Sequence, residues 1–343
     1  MTRHSRWLVL PLIFCSAAVL PVAAQISSQQ SDPLARMRAA SQNANGTCSV
    51  TDASLCAEAS QKIIANALGP SPLYENLRKL TDEIGGRQTG TPAMARAISW
   101  AIDGFHQAGV DSVHTEDYTI PVSWTEGATH LEVLSPTLFP VRLVSIAWAP
   151  PTPNGGITAN VVDVGGGQPA DFARVGAAAK GAIVLVHSEL LQTLDELFAE
   201  YMNAPGIIDR SVAAGASAII WMSSREQLLL YRHINATDGT LDRLPQVIVA
   251  REDAQRMARF LAAGQSLRVK LDIPNQVGGP ITQHNVVAEI RGREKPDEYV
   301  VVGAHLDSWD LGTGALDNGC NAALVIETAR DIVSTGLKPR RSI

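Results

Sequence analysis

Residues 299–333 read YVVVGAHLDSWDLGTGALDNGCNAALVIETARDIV, and the fold of the chain turns on how they are read. Tyr299 to Ala304 is a continuous apolar run rich in valine, and polar chemistry begins abruptly at His305. An unbroken run of this kind predicts a strand buried on both faces of a parallel sheet between helices. After Asp317, residues Ala322, Val325, Ile326, Ala329, Ile332 and Val333 recur at helical spacing, with Glu327, Arg330 and Asp331 between them. That is the pattern of an amphipathic helix laid on the sheet, with its two acids expected on the solvent side. His305, Asp307 and Asp317 then fall beyond the carboxyl end of a strand, where ligand groups of α/β sheets collect.

The residue types suit a metal. A neutral imidazole from His305 is a good zinc ligand, and the carboxylate of Asp317 can bridge two cations about 3.5–4 Å apart. Asp307, two residues after the histidine, can accept the other imidazole N–H, which fixes the tautomer and raises ligand basicity. The plainer alternative is a polar loop with no metal, since His-x-Asp is short and common. Manganese or cobalt would also accept this donor set.

VVVGAHLDSWDLGTGALDNG resembles the metal-site region of the M28-type zinc exopeptidases, in particular their carboxypeptidase Q-like branch. NLRKLTDEIGGRQTGTPAMARAISWAIDGFHQAGV, ANVVDV, KGAIVLV, LPQVIVAREDA and HNVVAEIRG follow the order that branch would show, and the resemblance covers roughly residues 60 to 343. The chain departs from the family in carrying Cys320 and Asn321 after the Asp-Asn-Gly, where small residues are usual. The resemblance implies an α/β/α sandwich, truncated here, in 60–120 and 281–343, interrupted by an inserted mixed α/β domain of protease-associated (PA-like) type in 121–280. It implies two zinc ions sharing Asp317, with His305 on one of them and Asp307 as the catalytic residue that orients His305. The substrate is a peptide trimmed at one end by metal-activated water, with a glutamate as general base. Trimming from either the amino or the carboxyl end stays open, as does a homodimer. In the family the glutamate base, its neighbouring glutamate ligand and further aspartate and histidine ligands come after this point, and KPRRSI (338–343) resembles the approach to them. The chain is therefore expected to hold only the first part of the site and to be inactive by itself. A non-catalytic secreted module that binds through the PA-like domain is the alternative.

At 343 residues, 45% hydrophobic and 18% charged, there is ample material for two cores. The net charge of −6 comes without a basic stripe, which argues against nucleic acid and anionic membranes as partners. Arg3 and Arg6 precede an apolar stretch from Trp7 to Leu20, and Val22-Ala23-Ala24 offers a cleavage site before Gln25. Residues 1–24 thus read as a signal peptide of a secreted or periplasmic protein, with no membrane anchor after cleavage. Residues 25–59 read as a loose leader in which Cys48 and Cys56 could pair after export. Cys320 is left over, more in keeping with a small core residue than with a nucleophile.

Ser71-Pro72 predicts one helix start and Thr91-Pro92 another, the second running to Gly109 before a strand over Val110–Ile120. Gly85-Gly86-Arg87 between them reads as a turn. From about Pro121 short β-like runs alternate with helical stretches at Leu194–Tyr201, Ile208–Ala214 and Asp253–Ala263. Gly165-Gly166-Gly167 lacks the frame of a phosphate cradle, and His187 and His233 stand alone. The Asn45 and Asn235 sequons matter only where secreted proteins are glycosylated. There is no Gly-x-Ser-x-Gly and no His-Glu-x-x-His, so hydrolysis here would rest on carboxylates and metal.

Overall fold

The computed structural model describes residues 53–232, 240–309 and 311–343. The expected signal peptide, Cys48, His233 and both sequons lie outside them. The fold is mixed α/β in two compact units, one comprising the chain up to Asp117 with His284–Ile343, the other Tyr118–Gln283.

In the first unit, α1 (Ala53–Ala67) precedes α2 (Leu73–Arg78), which continues into a wider turn at Lys79–Ile84. Ser71 Oγ accepts from Leu73 N–H at the start of α2. Helix α3 (Pro92–Ala108) opens as its sequence predicts: the Thr91 hydroxyl accepts from Met94 N–H, Pro92 occupies the first turn, and Gly109 closes it at φ 78°. Its buried residues Met94, Ala97, Ile98, Ala101, Phe105 and Ala108 make one stripe, which packs on α7 (Cys320–Ser334). Gly104 lets the two helices approach, since a Cβ there would lie 3.0 Å from Ile326 Cδ1. Leu80, Ala97 and Ala322 form the small core beneath, with Ile84, Trp100 and Leu306 against it.

Two sequence expectations fail in this unit. The strand β12 is Lys295–Tyr299 and not the valine run after it. Its partner β13 is two residues long (Arg341–Ser342), and the contact ends where Val300 N–H meets the Ser342 carbonyl at 2.8 Å. Among the described residues no other strand lies beside β12, and Val300, Val301 and Val302 are half exposed or more. A β-rich run becomes a buried strand only where neighbours satisfy its backbone and cover its faces, and here neither condition is met. Glu327 and Asp331 also depart from expectation, being buried at 5% and 4% exposure. Helices α1 and α2 pack on that side of α7, and Arg330 bridges both acids.

The second unit is built on a seven-stranded sheet of β3 (His130–Ser135), β9 (Arg268–Asp272), β5 (Ile157–Asp163), β6 (Ile183–Val186), β7 (Ala218–Met222), β8 (Gln246–Val249) and β4 (Leu143–Ser145), in that spatial order. β5 to β8 run parallel, and β9, β3 and β4 add antiparallel edges. Every residue of β6, β7 and β8 is buried, because cores lie on both faces. Burial of each large aliphatic side chain there contributes about 1.5–3 kcal/mol. The two helical stretches predicted between β6 and β7 are one helix, α5 (Leu194–Ala213), which carries Pro205 inside it and a Thr193–Glu196 capping box at its start. Helix α6 (Arg251–Ala262) follows β8. β1 (Ser112–Ile120) pairs with β11 (Ile281–Glu289) in a separate two-stranded sheet. Among the described residues no helix is long and apolar enough to cross a membrane.

Candidate metal centre

The loop between β12 and α7 brings His305, Asp307 and Asp317 together. His305 Nδ1 lies 3.2 Å from both the carboxylate and the backbone carbonyl of Asp307, and His305 Nε2 lies 3.0 Å from Asp317 Oδ1. One ring nitrogen thus faces an orienting group while the other faces the second carboxylate. Asp317 sits in a wide turn (Ala315–Gly319) at the entry to α7, with extended backbone at φ −117°, ψ 94°. Its side chain is 82% exposed, so its second oxygen is open to a further ligand. Asn318, buried next to it, donates to the His305 carbonyl at 3.3 Å.

The donor chemistry fits zinc in part. Two atoms that ligate one tetrahedral ion at about 2.0–2.1 Å stand roughly 3.3 Å apart, close to the separation of Nε2 and Oδ1 here. Two donors do not complete a polyhedron, and among the described residues no group of three or more His, Cys, Asp or Glu side chains could hold an ion.

The residue that the sequence did not single out is Arg87, fully buried beneath this loop. Its Nε donates to the Leu306 carbonyl (2.6 Å), Nη1 to those of Thr313 (2.8 Å) and Gly85 (3.3 Å), and Nη2 to that of Gly314 (2.9 Å). Its backbone N–H donates to Ser308 Oγ at 3.1 Å, and its carbonyl accepts from Ser308 N–H at 3.3 Å. Burial pushes the guanidinium below its ordinary pKa, and the charges of Asp307 and Asp317 pull it back up. The only sequence signal was an arginine in a Gly-Gly-Arg turn, which by itself is no more than a loop.

The remaining candidates lie elsewhere. Cys320 is a free, half-buried thiol that donates to the Leu316 carbonyl, and Cys56 is disulfide-bonded. His187 is not solitary: its Nε2 lies 2.9 Å from Asp163 Oδ2, which also accepts at Oδ1 from Gly165 N–H. Gly165 and Gly167 turn the chain after β5 at positive φ, as a turn requires.

An imidazole and a carboxylate are ligand types that metallohydrolases use. Comparison with known proteins narrows the class. Residues 285–343 match the model of Peptidase family M28. Carboxypeptidase Q of Mus musculus is 30% identical over 270 residues, 79% of this chain and 56% of the relative. A Peptidase M28 precursor from Shewanella amazonensis SB2B superimposes with a TM-score of 0.72 at 27% identity, covering 83% of this chain and 65% of that one. A zinc aminopeptidase from Bacillus subtilis shares the fold with a TM-score of 0.60 at 24% identity, covering 79% and 59%. Residues 285–343 thus match the M28 peptidase family, and the chain is similar to carboxypeptidase Q over 79% of its own length while spanning a little over half the length of that relative.

Proposed function

We propose that this chain contributes the opening segment of the metal site of a secreted M28-type zinc exopeptidase, which hydrolyses peptide bonds at the ends of peptides. The observation that carries the reading is the 3.0 Å approach of His305 Nε2 to Asp317 Oδ1, with Asp307 behind the same imidazole. His305 and Asp317 hold the metal, and Asp317, with a free oxygen, is the bridging ligand to a second ion. Asp307 fixes the imidazole with Nε2 directed at the site. Polarisation of a peptide carbonyl and activation of water are the chemistry that zinc supplies when bound. Two protein donors give only weak zinc binding, and peptide turnover needs further ligands and a general base beside them. The Tyr118–Gln283 unit is the PA-like insert in this reading, and residues 1–24 direct export.

The exposed Val301–Val302 stretch supports it, since an apolar run that no strand covers among the described residues is where further strands of a peptidase sheet would pair. Equilibrium dialysis against zinc tests the reading. Wild type retains the ion, while His305→Ala and Asp317→Ala each lose it. Equal retention by all three chains would overturn it.

A further inference from the structure

We propose that Arg87 is the positioning residue of the metal loop, fixing His305 and Asp317 at ligand separation by holding the backbone on which both stand. This rests on the reading of that loop as a metal site. The three loop carbonyls that Arg87 binds lie between the candidate ligands in sequence, close to each of them: Leu306 follows His305, while Thr313 and Gly314 come just before the turn of Asp317. A single rigid fork therefore ties the two ends of the loop to one point. Its five N–H donors lie in one plane, an arrangement that the three rotating donors of lysine do not reproduce.

The neighbours are shaped around the guanidinium. A Cβ on Gly314, at φ +61°, would fall 2.3 Å from Ser308 Cβ and 2.8 Å from Arg87 Nη1. One on Gly319 would fall 2.7 Å from the Gly314 carbonyl and 3.1 Å from Arg87 Nη2. Two glycines and Ser308 thus close round a side chain whose hydrogen bonds, among the described residues, all go to backbone carbonyls and none to a carboxylate. A guanidinium placed only for charge would take an acid as its partner. This one is placed for the course of the main chain.

Amide hydrogen exchange of the full 343-residue chain tests the proposal at Ser308 N–H and Gly319 N–H, both hydrogen-bonded within the clamped loop. Loss of one charge-assisted hydrogen bond corresponds to roughly 10- to 100-fold faster local exchange. Arg87→Lys is expected to show that acceleration at the two amides while β6 and β7 stay protected. Added guanidinium should restore protection in Arg87→Ala and should do nothing for Arg87→Lys. Ser308→Ala, which leaves the buried charge satisfied, guards against a general failure to fold and should accelerate the same amides less. Unchanged exchange in Arg87→Lys, or loss of protection throughout the first unit without guanidinium rescue, would overturn the clamp. Zinc dialysis of the same proteins separates the two ideas. A wild type that binds no zinc removes the metal reading, and the exchange result still decides the clamp.

Discussion

Asp331 and Glu327 sit one helical turn apart on α7 and share Arg330, yet their pKa values shift in opposite directions. Hydrogen bonds from Arg330 hold Glu327 below the ordinary carboxylate range, with a further contribution from Ser71. Burial pushes Asp331 above its ordinary value, against the pull of Arg330. Glu327 therefore adds stability that is present above its unfolded pKa and is lost as pH falls through its lower folded value. Asp331 carries a penalty at neutral pH that acidification relieves between its raised folded pKa and its unfolded one. Urea unfolding at pH 7 should show Glu327→Gln destabilised by about 1–3 kcal/mol and Asp331→Asn unchanged or stabilised. The Glu327→Gln deficit should shrink below pH 4.5. At the same scale, Gly314→Ala should destabilise by about 1–3 kcal/mol, because its φ is left-handed and its Cβ position is occupied.

At the scale of elements, the cap of α3 is a local device with a local cost. Thr91→Ala should lower the unfolding free energy by about 1 kcal/mol in denaturant titration, while Thr91→Ser should recover most of it. Such features were legible beforehand because they depend on neighbours in sequence. Thr91-Pro92, the buried runs of β6 to β8 and the helix after Asp317 are all specified within a few residues. The valine run was misread because a strand's burial depends on what lies beside it, which is not local. The acids of α7 were misplaced for the same reason, since helical spacing does not show that α1 and α2 cover their face. Arg87 was missed because its partners are some 220 residues away and are backbone carbonyls, which leave no residue-type signature.

Over the whole molecule, the Tyr118–Gln283 unit has a core on each face of its sheet and needs no side chain from elsewhere to close them. Expressed alone, that segment should unfold cooperatively by circular dichroism, and a non-cooperative melt would show that its core is not self-sufficient. The first unit carries the opposite signature, with Val301 at 76% and Leu316 at 85% exposure around the candidate site. Val301→Lys should reduce self-association of the 343-residue chain in light scattering, with no effect on the exchange of β6 and β7. One unit thus closes on itself, while the other exposes apolar side chains beside the His305–Asp317 pair.

His305, held by Asp307 and facing Asp317, is the residue on which the proposed metal site depends. The most direct test is a zinc titration followed by nitrogen-15 NMR of the histidine side chains in the 343-residue chain. The Nε2 resonance of His305 should shift first, and this response should disappear in Asp317→Ala. A response confined to other histidines, or an unmoved His305 at zinc concentrations that load the protein, would contradict it.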